Sequence, residues 1–230
     1  MCCRYLLLRD TLRDLLAQLG IPDEEGDVAH FADRYNIAPC SKIPVVRTRP
    51  AIDRNRARTR ECVSLPWNFA AAGGARSAGP LFNARAESLR EKPAFREAAR
   101  ARRCLIPASG FYEWAGVGRS RLPWLFQMRG VRDAEPFFMA GIWEGNGCAI
   151  ITTEANALMR PVHDRMPAII PAAGAAAWLD DDGEKSLLAP FAPERMMARR
   201  VSSHVNNARN EGAACVAAPV DEEDGTLSLF

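Results

Sequence analysis

The first five residues, MCCRY, contain a group with unusual covalent chemistry. Removal of Met1 would leave Cys2 as the N-terminal residue, which then carries a thiol and a free α-amine. One aldehyde carbon can react with both groups and close a five-membered thiazolidine ring. An internal cysteine cannot do this because its nitrogen is an amide. An α-amine titrates near about 8 and a thiol near about 8.5, so both nucleophilic forms are accessible close to neutral pH. Cys2 is therefore the first candidate nucleophile.

A carboxylate flanked by aromatic residues is the second candidate. Residues 110–114 read GFYEW, and on a strand Glu113 would share a face with Phe111. Burial beside aromatic rings raises a carboxyl pKa toward the range that is useful for proton transfer. A solvent-facing glutamate on an edge strand explains the same segment equally well.

Two further segments combine polar groups in patterns that suit catalysis or anion binding. Residues 83–87 read NARAE, and on a strand Asn83 and Arg85 would project on one side, where they could bind a phosphate or an ester oxygen. Residues 163–167 read HDRMP, in which His163 beside Asp164 could act as a general acid or base. A structural histidine is the alternative. The asparagine pair within residues 201–207, VSSHVNN, predicts a turn.

The elements that position these residues follow from the hydrophobic pattern. Leucines at helical spacing predict a helix over residues 11–19, capped by Asp10 or Thr11 and ended by Gly20. Aromatic-rich apolar runs separated by turn residues predict successive strands of one antiparallel sheet. Those runs are residues 104–107, 111–114, 124–128, 137–143 and 148–152. We expect the sheet to form the core and the helices to cover it.

The remaining predicted elements are less regular. Further helices are predicted over residues 94–103, 172–179 and 193–199, and further strands over residues 43–47 and 201–205. Pro39 and Pro44 restrict the strand at 43–47 to an edge or a bend. Residues 70–80, rich in Ala, Gly and Ser, predict a surface loop.

Arginine dominates the basic residues of the chain. All but three of the 30 basic residues are arginine, and the densest run lies within residues 47–60. Arginine favours bidentate contacts to phosphate or carboxylate, so this run suits nucleic acid. A solvated hairpin face explains it equally well.

The composition is typical of a soluble globular protein. The chain has 230 residues, of which 48% are hydrophobic and 25% charged, with a formal net charge of +2. No apolar stretch reaches the roughly 18 residues needed to span a bilayer, so we expect a cytoplasmic protein without a membrane partner. The seven cysteines contain no C-x-x-C pair, which argues against a disulfide framework and a structural zinc site. We expect no metal and no cofactor.

Six segments occur in one order over nearly the whole chain: CCRY at 2–5, RYNIAP at 34–39, NARAE at 83–87, RCLIPASGFYEW at 103–114, TTEAN at 152–156 and HDRMP at 163–167. In this combination the chain resembles the SOS response associated peptidase (SRAP) family. The resemblance implies one α+β domain over residues 1–230, built on a curved, largely antiparallel, barrel-like sheet with peripheral helices. It also implies a monomer that binds single-stranded DNA containing abasic sites and is nucleoid-associated when bound.

The resemblance also implies a mechanism and roles for individual residues. Members of the family crosslink to abasic sites: the ring-opened deoxyribose aldehyde forms a Schiff base with the Cys2 amine, and the Cys2 thiol closes the thiazolidine. The matched positions take these roles: Asn83 holds Cys2 and the sugar, Glu113 is the acid or base beside the amine, His163 assists ring opening, Arg4 and Arg85 contact phosphate, and Thr152 lines the pocket.

The chain departs from the family pattern at two places. Cys3 stands where the family usually has glycine, which adds a second thiol beside the nucleophile. The family's Trp-Gly-Leu-x-Pro segment is replaced by CVSLP at residues 62–66. This replacement leaves Trp67 and Phe69 as the expected apolar wedge against bases at the lesion, where stacking is worth about 1–3 kcal/mol per base.

Two other functions are compatible with the sequence. A cysteine peptidase or N-terminal-nucleophile amidohydrolase would use Cys2 to attack a carbonyl. The family's peptidase label is compatible with self-removal of Met1 or with release of the crosslink. A non-covalent single-strand binder would need only the arginine run and exposed aromatic rings. Whether an AP-lyase side reaction occurs stays open.

Overall fold

Two β-sheets and three α-helices make up the part of the chain that the computed structural model describes, which is residues 3–22, 29–49, 59–70, 79–116, 121–130, 134–180 and 185–219. The strands are β1 (Tyr5–Leu7), β2 (Arg34–Ile37), β3 (Lys42–Thr48), β4 (Arg60–Pro66), β5 (Asn83–Arg85), β6 (Arg103–Ala108), β7 (Gly110–Ala115), β8 (Leu122–Arg129), β9 (Ala134–Glu135), β10 (Phe137–Glu144), β11 (Gly147–Glu154), β12 (Arg165–Pro167), β13 (Ile169–Ile170) and β14 (Met196–Arg200). The helices are α1 (Arg9–Gln18), α2 (Pro93–Ala101) and α3 (Ala175–Asp180).

The strands form a six-stranded and an eight-stranded sheet. The first has the order β14-β8-β7-β1-β2, with β9 on β8. The second has the order β12-β11-β10-β6-β3-β4, with β13 on β10 and β5 on β11. All pairings are antiparallel except that of β5 with β11. The predicted α+β class is therefore confirmed.

The prediction of one barrel-like sheet needs correction. The predicted strands do form, but β7 and β8 belong to the first sheet, whereas β6, β10 and β11 belong to the second. Within the described ranges neither sheet closes into a barrel. The chain changes sheets between β6 and β7 at Ser109, and alternating hydrophobicity does not reveal such a change.

One core serves both sheets. It contains Tyr5, Phe111 and Phe126 from the first sheet together with Ile106 and Met139 from the second. Helix α1 adds three buried leucines, and α2 adds Phe95, Ala98 and Ala99. The inner faces of the two sheets thus bury each other, with the helices packed against the same apolar cluster.

The predicted helix boundaries are largely confirmed, but the cap of α1 is not the predicted one. The helix begins at Arg9, and its N-cap residue Leu8 makes no side-chain capping bond. Asp33 replaces the local cap, because its Oδ1 accepts a hydrogen bond of 2.8 Å from the Arg9 N–H. Gly20 ends the helical region with φ of +67°, a backbone conformation that favours glycine.

Three other local predictions are wrong. Strand β3 is internal, between β6 and β4, and it tolerates Pro44 because β6 pairs only with Val46 and Arg47. The helix predicted over residues 193–199 is a short 3-10 turn followed by β14, which pairs with β8. The strand predicted over residues 201–205 contains a 3-10 turn instead, capped by the Ser202 side chain.

Candidate active site around the N-terminal segment

Strand β1 carries the start of the chain to the middle of the first sheet. Tyr5 pairs with Phe111 on β7 and with Ile37 on β2. The Tyr112 N–H donates a 2.9 Å hydrogen bond to the Arg4 carbonyl, so the antiparallel pairing continues beyond β1 toward Glu113. Met1 and Cys2 lie outside the described residues. The last described residue before them, Cys3, is half-buried in this position.

Glu113 lies beside this segment and is buried, with an exposed fraction of 5%. Phe111 belongs to the main core and Tyr112 to a smaller one, so alternation along β7 places Glu113 on the Phe111 face, as predicted. Burial raises the pKa of the Glu113 carboxyl, and nearby positive charge, including that of a protonated His163 ring, opposes the rise. A carboxyl of this kind is suited to proton transfer.

The Cys3 thiol interacts electrostatically with the Glu113 carboxylate. Burial raises the pKa of the Cys3 thiol, and the Glu113 carboxylate raises it as well. The effect keeps Cys3 in the weakly nucleophilic thiol form near neutral pH. The extra cysteine therefore adds volume to the site more than it adds a competing nucleophile.

Strand β5 presents Asn83 and Arg85 as predicted. It lies parallel to β11, with Asn83 opposite Ile150 and Arg85 opposite Thr152. Ala84 between them is buried, so the alternating side chains of Asn83 and Arg85 project from the other face. Asn83 is half-buried and Arg85 is exposed. Thr152 is fully buried in β11, beneath the position of Arg85.

His163 follows a turn that a buried asparagine organises. The Asn156 Oδ1 accepts a 2.9 Å bond from the Met159 N–H, and its Nδ2 donates to the Phe191 carbonyl. The His163 Nδ1 accepts a 2.9 Å hydrogen bond from the Arg165 N–H. In the neutral ring this bond puts the proton on Nε2. Asp164 Oδ1 also lies 2.9 Å from Nδ1 and forms an ion pair when the ring is protonated.

Arg165 ties the β5 and β12 regions together. Its guanidinium donates 2.8 and 2.9 Å bonds to the two carboxylate oxygens of Glu87, and a third bond of 2.7 Å to the Thr152 carbonyl. The bidentate geometry is the strong form of an arginine–carboxylate pair. The hydrogen bond to Arg165 lowers the pKa of Glu87. One residue thus holds Thr152, Glu87 and, through its backbone, His163.

Arg4 makes contacts within the protein. Its Nη1 donates to Asn36 Oδ1 at 2.7 Å and to the Val205 carbonyl at 2.9 Å, and its guanidinium lies 5.5 Å from the centre of the Trp114 ring. Burial lowers the pKa of Arg4, which still remains a cation near neutral pH. Both hydrogens of Nη1 are therefore committed before any ligand binds.

The structure corrects the prediction that Trp67 and Phe69 form a wedge against bases. Trp67 is 0% exposed and Phe69 is 1% exposed. Trp67 packs edge-on against Tyr5 and donates its indole N–H to the Phe82 carbonyl, while Phe69 packs against Phe95. Neither ring has a face open to a base. Trp114, which is half-buried, is the aromatic residue beside the site.

The arginine run belongs to a hairpin face in its described part. Arg47 and Arg49 both bond to Glu61, at 2.8 and 3.1 Å, and Arg60 pairs with Asp180. Two carboxylates thus pair with three of the six arginines of the run. Residues 50–58, which carry the other arginines of the run, lie outside the described residues.

Two residues of the site region were not singled out from the sequence. Asn36 and Arg165 both stand inside the motifs RYNIAP and HDRMP, so the motifs themselves were the available signal. Their partners lie far away along the chain, which sequence spacing does not reveal. Both bury a polar side chain with several hydrogen bonds.

The site residues come from several elements of both sheets. Glu113 belongs to the first sheet and Cys3 precedes its strand β1, whereas Asn83 and Thr152 belong to the second sheet and His163 precedes its strand β12. The buried Glu113 carboxyl interacts electrostatically with both Cys3 and His163, and a carboxyl and an imidazole can together serve acid–base chemistry on a carbonyl compound. The six cysteines of the described part are all free, and no group of three His, Cys, Asp or Glu in that part could hold a metal ion.

Among the helices of the described ranges, none has the length and apolar character needed to cross a membrane.

Comparison with known proteins agrees with the motif pattern. Residues 1–208 match the family model described as SOS response associated peptidase (SRAP). The chain is 33% identical over 225 residues to the abasic site processing protein YoqW of Bacillus subtilis, an alignment that covers 91% of this chain and 96% of YoqW. It is 26% identical to the abasic site processing protein YedK of Escherichia coli, over 94% of this chain and 99% of YedK.

Solved structures show the same fold. A protein from Bacteroides thetaiotaomicron aligns with a TM-score of 0.75 at 22% identity, covering 95% of this chain and 100% of that protein. A protein from Bordetella bronchiseptica aligns with a TM-score of 0.66 at 22% identity, covering 87% of this chain and 100% of that protein. Because the family model matches residues 1–208, which are most of the chain, the chain belongs to the SOS response associated peptidase (SRAP) family.

Proposed function

We propose that the protein processes abasic sites in single-stranded DNA by forming a thiazolidine crosslink through Cys2 after Met1 has been removed. The observation that carries this proposal is the pairing of Arg4 and Tyr5 along β7, which leads the start of the chain toward the buried Glu113 carboxyl. Relatives that match most of the chain are named abasic site processing proteins, which supports the same substrate.

The chemistry balances with the loss of one water. The Cys2 amine adds to the aldehyde carbon of the ring-opened sugar, and the resulting carbinolamine loses hydroxide as water to give a Schiff base. The Cys2 sulfur then adds to the imine carbon, and the thiol proton passes to the nitrogen. No oxidant or metal is consumed in these steps.

Three catalytic residues take separate roles. Glu113, with its raised pKa, donates the proton that the leaving hydroxyl needs and accepts one from the amine. The His163 Nδ1 accepts a hydrogen bond from the Arg165 N–H, so Nε2 is the ring nitrogen that we assign to assisting ring opening. Asn83 supplies an amide that orients Cys2 and the sugar.

The DNA contacts come from charged and polar groups around this centre. Arg85 is exposed and is our proposed phosphate contact. Arg4 adds positive charge close to the backbone of the lesion, although its Nη1 is used within the protein. Thr152 is fully buried, so we propose that it supports the site through its carbonyl bond to Arg165 without contacting DNA. We do not assign base stacking to Trp67 or Phe69, because both are buried.

Intact-mass spectrometry of the untagged protein tests the proposal. The protein is measured before and after incubation with a single-stranded oligonucleotide that carries one abasic site. We expect a starting mass without Met1, and then an adduct that survives denaturation at the mass of protein plus DNA minus one water. An untreated oligonucleotide without the lesion is the control. Free Cys2 without any adduct would reject the crosslinking function.

The peptidase activity in the family's description fits a limited role here. We propose that this peptidase activity is confined to the removal of Met1, because the bond that must be cut to expose Cys2 is the protein's own Met1–Cys2 peptide bond. Hydrolysis of unrelated peptides in the absence of DNA would contradict this restriction.

A further inference from the structure

Asn36 is a buried amide whose hydrogen bonds connect the two ends of the described chain. Its exposed fraction is 1%. The Oδ1 accepts from Arg4 Nη1 at 2.7 Å, while the Nδ2 donates to the carbonyls of Asn207 and Asn210 at 3.0 and 2.8 Å, with the Val205 carbonyl at 3.4 Å. If the Asn36 amide were flipped, Nδ2 would face the Arg4 donor and Oδ1 would face the carbonyl oxygens of Asn207 and Asn210. The hydrogen-bonding groups around the amide therefore fix its orientation.

Arg4 is held from three directions. The Asn36 Oδ1 and the Val205 carbonyl take both hydrogens of Nη1, the Trp114 ring lies under the guanidinium, and the Tyr112 N–H binds the backbone carbonyl of Arg4. Hydrogen bonds that involve a charged group are the stronger ones. Arg4 is therefore a fixed point two residues away from Cys2.

The loop that supplies the carbonyls is itself anchored independently of Asn36. Glu211 accepts from Arg34 Nε at 3.1 Å and from the Tyr35 N–H at 2.8 Å. Val205 is fully buried in the smaller core, and the Tyr112 hydroxyl donates to the Tyr35 carbonyl at 2.8 Å. Loss of the Asn36 side chain would thus leave the loop docked, while the Arg4 guanidinium loses the 2.7 Å bond that helps to fix its direction.

We propose that Asn36 is a positioning residue for the crosslinking reaction, which acts through Arg4 to aim the N-terminal residue at the Glu113 side of the site. This inference rests on the proposed function. A reacting amine must be held close to its target, and a misplacement of about 1 Å can cost roughly 100-fold in rate. Asn36 would set that distance without touching the DNA or the aldehyde.

The experiment is a double-mutant cycle of Asn36→Ala and Arg4→Ala, read as the single-turnover rate of adduct formation at saturating oligonucleotide. Asn36→Ala alone should slow the reaction by about 10- to 100-fold. In the Arg4→Ala background the same change should have little further effect, because its target is already absent. An equal slowing in both backgrounds would overturn the proposal.

Two readouts separate positioning from a general loss of structure. A small free aldehyde can approach Cys2 from any direction, so its rate of thiazolidine formation should change less than about threefold in Asn36→Ala. Affinity for an intact single-stranded oligonucleotide should also be retained. The core truncation Val45→Ala, in the second sheet, is the stability control and should keep the wild-type adduct rate. Equal loss with both aldehydes in Asn36→Ala would contradict the positioning role.

Arg4→Lys tests the same contact from a half-exposed position if Asn36→Ala does not fold. Lysine keeps the positive charge but is shorter and lacks the planar guanidinium that stacks on Trp114 while it bonds to Asn36, so we expect a slowing similar to that of Asn36→Ala. Wild-type rates in this variant would reject the inference while the proposed function stands. Failure of the wild-type protein to form any adduct would instead reject the proposed function.

Discussion

At the scale of single residues, the site depends on the ionisation of Glu113. A carboxyl with a raised pKa retains its proton at a higher pH than a solvated one and can act as an acid where ordinary carboxyls cannot. We expect Glu113→Gln to slow adduct formation about 100-fold, the lower range for the loss of an acid–base group. Single-turnover rates from pH 5 to 9 would measure this.

The shape of that pH profile is the sharper part of this prediction. The wild-type profile should contain an ionisation above the usual carboxyl range, and Glu113→Gln should lack it. Glu97→Gln provides the control, because that carboxylate is exposed on helix α2, 3.7 Å from Arg100, and has no part in the proposed mechanism. A wild-type profile that is unchanged in Glu113→Gln would remove Glu113 from the mechanism.

The ionised Glu113 carboxylate should also lower the free energy of unfolding at neutral pH. Since the pKa of Glu113 is higher in the folded than in the unfolded protein, its contribution to stability is fully present below about 4.3 and is lost as the pH rises through the folded pKa. Glutamine does not ionise. Thermal unfolding should therefore show Glu113→Gln to be more stable than wild type at pH 8, with the difference shrinking toward pH 4. A variant less stable than wild type at pH 8 would contradict this.

Residue types alone predicted Glu113, Asn83 and His163 as candidates, because Asn83 and His163 stand in short polar motifs and Glu113 is a lone carboxylate among aromatic residues. They did not predict the burial of Trp67 and Phe69, since an aromatic residue after a proline gives no sign of which face it occupies. Asn36 was equally hidden, because the carbonyls that it binds belong to residues 169 to 174 positions later in the chain.

At the scale of secondary-structure elements, the bidentate pair between Arg165 and Glu87 joins the turn after β5 to β12. Glu87 is about half exposed, with a side-chain exposure of 48%, so solvent reduces the energy of the pair to about 1 kcal/mol. We expect Glu87→Gln to lower the free energy of unfolding by that amount at pH 7. Urea unfolding would measure it.

The stabilisation by the Arg165–Glu87 pair should depend on pH in the opposite direction to the contribution of Glu113. Arg165 lowers the folded pKa of Glu87, so the stabilisation is present above the usual glutamate pKa of about 4.3 and is lost as the pH falls through the folded value. The difference between wild type and Glu87→Gln should therefore vanish in acid. Glu97→Gln is the matched control, because its pair with Arg100 is exposed and 3.7 Å long. An equal effect in both variants would argue against a special role for Glu87.

The elements themselves were predicted with uneven success for a physical reason. Long apolar runs such as β7, β10 and β11 form where the pattern indicates, because their side chains are buried on both faces over most of each strand. The segment from 193 to 205 was assigned wrongly, because β14 is held by its pairing with β8 and not by local propensity. The exchange between sheets at Ser109 is likewise a tertiary property.

At the scale of the whole molecule, the start and the end of the described chain meet at Arg4 and Val205. The family model ends at residue 208, just after this contact. We propose that residues 1–230 act as one domain, because the two ends of the described chain meet in it, and that this domain is a monomer. Gel filtration of the untagged protein, alone and with the oligonucleotide, would test the monomer.

Covalent capture and reversible binding should separate in the intact protein. Cys2→Ala removes the thiol that closes the ring but leaves every arginine in place, so it should form no adduct that survives denaturation. Its affinity for single-stranded DNA should stay within about threefold of wild type and should fall steeply with salt, because phosphate contacts release counterions. Fluorescence anisotropy between 50 and 200 mM salt, beside a denaturing gel, measures both properties.

Cys3→Ala is the matched control, because it removes the neighbouring thiol and should still crosslink. If Cys2→Ala also crosslinks, the bond forms elsewhere; if Cys3→Ala alone loses the adduct, the half-buried thiol beside Glu113 is the nucleophile.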